Sequence, residues 1–168
     1  MFRSQGTMVI FVSATEIPVL AEVPELEAEF ARLRLAHMDH ETALALGEDL
    51  VRRSREKGWP MAVSVKLGDH EVFHVALPGA QPINDNWIRR KRNLVELTGE
   101  PSFLVGQRLA AEGKTLDDLT LSEVDYAPHG GGYPLIVGDT VVGSVIVSGV
   151  PQQDDHALVV EGLSALAG

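Results

Sequence analysis

The chain contains no cysteine, which removes disulfides, thiolate nucleophiles, thiolate-ligated haem and every cysteine-based zinc or iron–sulfur site. A chain without thiols suits a reducing compartment, and we expect a cytoplasmic protein. It is also poor in positive charge, with 14 lysines and arginines against 24 acidic residues and a formal net charge of −10. Such a surface repels phosphate backbones and anionic lipid, so neither nucleic acid nor membrane is an expected partner. Long apolar runs are missing too. The early run at residues 8–12 is too short to span a bilayer, and it lacks the charged flank and small-residue cleavage site of a signal peptide.

What is present suffices for one core: 168 residues, 45% of them hydrophobic, fit a single domain. Residues 1–22 are weakly patterned and read as an N-terminal extension, whether a disordered stretch, an extra edge strand or a start codon placed too early. The domain proper is expected over residues 23–168. Residues 24–38, rich in Glu, Leu, Ala and Arg with Pro24 at the start, predict a helix. Asp39 is expected to cap a second helix, ended by Gly58 and Pro60.

From residue 61 the period changes to two. Met61, Val63, Val65 and Leu67 alternate with Ala62, Ser64 and Lys66, the pattern of a half-buried strand. Gly68-Asp69 turns the chain into a return strand that carries Phe73, Val75 and Leu77. A helix capped by Asn84 or Asp85 and running to about Leu97 follows, then another from Pro101 to near Gly113. Residues 133–137 and 140–148, joined at Gly138-Asp139, make a second hairpin. Asp154 and Asp155 are expected to cap the last helix. Two-residue turns join only antiparallel strands, so the sequence predicts an α/β (α+β) domain with an antiparallel sheet flanked by helices.

Three segments carry unusual residues. In the first, His129-Gly130-Gly131-Gly132-Tyr133-Pro134, adjacent glycines precede a strand, where backbone can approach a ligand or adopt positive φ. It is no phosphate loop, since no Lys-Ser/Thr follows. The His129 imidazole can bind metal, ligate haem or shuttle protons. In the second, the helix stripe Trp87, Ile88, Leu94 and Val95 has Lys91 at its centre, where a cation must snorkel, pair with a buried carboxylate or line a pocket. Arg89, Arg90 and Arg92 are expected to face solvent, and Asn84 serves as a cap or a ligand contact. In the third, Gln152-Gln153-Asp154-Asp155-His156 leads into a helix with His156 facing inward. His129, His156 and either aspartate would make a two-histidine, one-carboxylate metal site if the fold joined them. Ser148 lacks a nucleophile elbow and reads as a strand-end serine.

Several separated runs resemble one family. They are Asp39-His40-Glu41-Thr42-Ala43-Leu44-Ala45-Leu46-Gly47, Ala76-Leu77-Pro78-Gly79, Asn84-Asp85-Asn86-Trp87-Ile88-Arg89-Arg90-Lys91, Tyr126-Ala127-Pro128-His129-Gly130-Gly131 and Val147-Ser148-Gly149-Val150-Pro151-Gln152. Across about residues 39–167 the chain is similar to an uncharacterised-protein family that belongs with the haem-degrading-domain proteins of the GlcG/HbpS type. The resemblance implies a profilin-like sandwich, a symmetric homo-oligomer and a haem or small-molecule ligand. Without cysteine, haem would need His129 or another histidine, a tyrosine or a methionine as its iron ligand.

The leading expectation is a pocket formed by Asn84, Trp87, Lys91, His129, Gly130, Gly131, Gln152, Asp154 and His156, with His129 as the candidate haem iron ligand. An oligomeric adaptor without catalysis, or a haem-degrading or metal-assisted enzyme, are the alternatives. Catalytic residues are not assigned by the sequence.

Overall fold

The computed structural model describes residues 16–168. Most of the extension expected over residues 1–22 therefore lies outside the described residues. Residues 16–22 have no regular structure, but they are tied down. The fully buried Gln107 side chain accepts from Leu20 N (2.6 Å) and Ala21 N (3.0 Å) and donates to Pro18 O (3.0 Å).

The first helix, α1 (Val23–Arg32), carries Pro24 in its opening turn. It ends short of the predicted Met38 because the chain is drawn into the sheet. Leu35 N donates to Ile136 O at 2.8 Å, and Leu35 forms a parallel bridge with Val137. A tertiary hydrogen bond here overrides a local helical preference. α2 (His40–Lys57) starts as expected, with Asp39 Oδ1 accepting from Thr42 N at 2.8 Å.

The strands follow the period-two reading. β1 (Ala62–Leu67) pairs with β2 (His70–Ala76), and β3 (Gly132–Val137) pairs with β4 (Thr140–Ser148). Gly68 and Gly138 turn these hairpins at positive φ. β1 and β4 then pair antiparallel, giving one sheet in the order β2-β1-β4-β3. The remaining helices are α3 (Pro82–Thr98), α4 (Ser102–Ala111) and α5 (Gln152–Ala167), with a 3-10 turn at Leu116–Leu119. The result is the expected mixed α/β sandwich in one domain. Among the described residues, no helix is long and apolar enough to cross a membrane.

Two starts differ from expectation. Gln81 caps α3, and Asn84 sits a turn inside, its Oδ1 accepting from Gln81 N in a reciprocal capping box. Pro151 precedes α5, so Asp154 and Asp155 lie in the first turn rather than at the cap. Each aspartate still suits the positive end of a helix.

β1 is covered on both faces rather than half-buried. Val63, Val65, Tyr133, Leu135, Val145 and Val147 point to one layer, where Leu46 and Leu50 of α2 meet Leu158, Val159 and Leu163 of α5. Ala62 and Ile146 point the other way, against Ile88 and Val95 of α3. Arg92 was expected in solvent but is 6% exposed. Its guanidinium donates to Ser144 Oγ, Ser64 Oγ and Ser64 O. The small polar residues of β1 and β4 leave the space it fills, and three neutral acceptors offset part of its desolvation.

Candidate functional site

The sheet end formed by β4, the loop before β3 and the starts of α3 and α5 enclose a cavity of about 320 Å³. Its walls are Asn84, Trp87, Lys91, His129, Ser148, Gly149, Val150, Gln152 and Asp155. The volume is near the lower end of ordinary ligand pockets, room for a small ligand or one edge of a larger one.

Lys91 and Asp155 form the core of the site. Lys91 belongs to α3 on one side of the sheet and Asp155 to α5 on the other, and each is only 2% exposed. Lys91 Nζ donates to Asp155 Oδ2 at 3.0 Å and to Val147 O at 2.9 Å. Asp155 Oδ1 accepts from Val150 N at 3.1 Å. Burial pulls the Lys91 ammonium below the usual lysine range and lifts the Asp155 carboxyl above the usual aspartate range, each opposed by the charge of its partner.

The glycine run makes this pairing possible. Gly131 has φ +121, a conformation closed to most side chains, and a Cβ there would lie 2.8 Å from Lys91 Nζ and 3.1 Å from Asp155 Cβ. The missing side chain is a notch through which the two helical layers touch. Gly131 O also accepts from Val147 N at 2.9 Å, extending the β3–β4 pairing. Ser102 at the start of α4 clasps the same loop, donating to His129 O at 2.6 Å and accepting from Gly132 N at 3.0 Å. Gly130 N is spent on Gln152 Oε1 at 3.2 Å. Gly130 and Gly131 thus serve close packing at this site, and neither lines the cavity itself.

His129 lines the cavity beside Trp87, the two rings T-shaped with centroids 5.0 Å apart. Arg90 stacks on Trp87 at 4.4 Å, so it is half-buried rather than solvated. Burial, reinforced by the positive charges of Lys91 and Arg90, pushes the His129 pKa down to about 4. The ring is neutral at ordinary pH and retains one nitrogen lone pair. Its Nδ1 is buried with no hydrogen-bond partner among the described residues.

Two expected members lie elsewhere. Asp154 is exposed, and the inward carboxylate is its neighbour Asp155. His156 is buried but points away from the cavity, its Nε2 donating to Glu29 Oε1 at 2.6 Å while its ring packs against Phe103 and Tyr133. The expected His129–aspartate–His156 metal site is therefore not assembled. Among the described residues, no three His, Asp or Glu side chains gather to hold a metal ion. The cavity also takes in Asp155, in the sequence only one of two candidate aspartates, and Ser148, Gly149 and Val150, which the expected pocket left out. The phase of α5 signals the first, because Asp155 lies four residues before the buried Val159.

Comparisons with known proteins agree with this fold. Residues 38–164 match the family described as haem degrading protein HbpS-like. A UPF0303 protein of Streptomyces avermitilis is 48% identical over 151 residues, 89% of this chain and 93% of that protein. A UPF0303 protein of Rhizobium etli is 46% identical, covering 76% and 79% of the two chains. Among solved structures, the Ybr137w protein superposes with a TM-score of 0.82 at 26% identity, covering 88% of this chain and 89% of that one. The PduOC:haem complex shares the fold at a TM-score of 0.65 and 17% identity, covering 76% and 94%. The chain accordingly belongs to the HbpS-like family of haem degrading proteins.

Proposed function

We propose that the protein is a homo-oligomer that binds a small molecule or haem in the cavity between α3, the His129 loop and α5. The observation that carries this reading is His129 itself: a neutral, largely buried imidazole on the wall of a cavity that the buried Lys91–Asp155 pair also lines. Family membership and the haem bound by PduOC support the haem form of the reading.

The residues present fit haem in one respect. A neutral imidazole with a free lone pair could hold a haem iron, and here no proton has to be displaced at neutral pH. His129 would hold the iron, Trp87 would flank the ring, and bound haem would supply redox chemistry at its iron. The chain's own contribution is to keep His129 unprotonated, through Lys91, Arg90 and burial, and to fix its loop through Ser102.

Haemin titrated into the purified protein is expected to give a saturable Soret shift that is lost or weakened at least tenfold in His129→Ala. A shift that does not saturate, or one indifferent to the substitution, rejects haem ligation at this site. Light scattering on the same preparation reads the oligomer.

A further inference from the structure

Apart from the His129 lone pair, the side-chain acceptors of the cavity wall are largely engaged, while donors remain free. Asp155 accepts at both oxygens, from Lys91 and Val150 N. Gln152 Oε1 accepts from Gly130 N, Val147 O from Lys91, and Asn84 Oδ1 from Gln81 N. Donors remain, three of them on Ser148, Gln152 and Lys91. Ser148 Oγ already accepts from Asn84 Nδ2 at 3.2 Å, which leaves its own proton to be given away. The Gln152 amide NH₂ has no partner among the described residues. Lys91 carries three protons and donates two.

We infer that the ligand of this cavity presents a carboxylate group to Ser148, Gln152 and Lys91, with the rest of the molecule against Trp87 and Val150. The inference rests on the reading of the cavity as a ligand site and names the chemical class that occupies it.

Further observations point the same way. Gln152 is the first residue of the 16-residue α5, so the positive end of a long helix opens on the cavity. The charges acting with burial to depress His129 are the cations Lys91 and Arg90, so positive charge is felt at that ring. Charge also sets the class. Asp155 already pairs with Lys91, so every further negative charge is opposed, and a singly charged carboxylate held by one lysine proton and neutral donors is opposed less than a doubly charged phosphate. Two sources share the chemistry: a free small carboxylic acid and a propionate arm of haem.

The test uses acetate as the probe, against sodium chloride at matched ionic strength and acetamide as its neutral counterpart, with ¹H–¹⁵N spectra of the full chain as readout. Acetate is expected to shift the amides of Gly130, Gly149 and Val150 saturably, with a Kd on the order of millimolar. Ser148→Ala is expected to weaken it about fivefold to tenfold, the equivalent of one hydrogen bond. Gln152→Glu keeps an oxygen for Gly130 N but replaces donors with negative charge, and is expected to abolish binding. A competition arm with haemin assigns the source. If acetate raises the apparent Kd of haemin, the position belongs to a propionate; if both bind independently, it belongs to a free acid.

Equal binding of acetamide overturns the inference, as does acetate binding that survives both substitutions. If acetate fails while haemin still binds through His129, the carboxylate position is wrong and the ligand site stands. If both fail, the ligand site falls with it.

Discussion

At the scale of single residues, the most informative group is His129, because its protonation is coupled to folding. Its pKa is about 4 in the folded chain against an ordinary 6.5. Between those values an unfolded chain binds a proton that the folded one refuses. Stability is therefore fully present above about pH 6.5 and falls as the pH drops toward 4, by an amount on the order of 2–3 kcal/mol. Urea unfolding of the wild type and His129→Gln at about pH 7 and about pH 4.5 checks this, since the variant should lose less stability across the interval. Equal losses would show that other groups carry the acid sensitivity.

Sequence legibility at this scale depended on where each partner lies. Lys91 stood out because a cation in the middle of an apolar stripe demands an explanation, and pairing with a buried carboxylate was among those expected. Which carboxylate remained hidden, since the pair joins positions 64 residues apart. Arg92 was misplaced for a different reason. It lies four residues after Ile88 and three before Val95, squarely on the buried face, but its charge argued against burial until Ser64 and Ser144 came opposite it. His156 was correctly turned inward, yet nothing local disclosed Glu29 as its partner.

At the scale of elements, the strands and their turns were readable because a period of two is enforced by the sheet itself. The end of α1 was not, because Leu35 is captured by β3 from across the chain. The Lys91–Asp155 pair belongs here as well, as the tie between the α3 and α5 layers at the open end of the sheet. Lys91→Met leaves a buried carboxylate uncompensated and is expected to cost about 3–5 kcal/mol. Adding Asp155→Leu should recover much of that loss, because two apolar side chains need no desolvation. Denaturant midpoints of the two singles and the double give the coupling directly. A double variant as unstable as the sum of its singles would mean that the two residues stabilise the layers independently.

At the scale of the whole molecule, the feature with the widest consequence is the Gln107 clasp. Gln107 is fully buried, and its acceptor and one of its donors meet backbone at Pro18, Leu20 and Ala21. Ile17 packs against the cluster of Leu94, Val105, Leu109 and Leu116 on the same side. A chain shortened to residues 23–168 loses those partners, with an expected cost of about 1–3 kcal/mol for the amide left unsatisfied. Chemical denaturation of the full and shortened chains measures it, and a shortened chain of equal stability would make the clasp dispensable.

The residues that match the family model, 38–164, and the unit that folds are thus different lengths of chain. Inheritance has kept the sandwich and its cavity recognisable across relatives. The segment before α1 lies outside the residues that match the family model, yet Gln107 reserves three hydrogen bonds for it. Boundaries drawn where that match ends would cut through a working part of the structure.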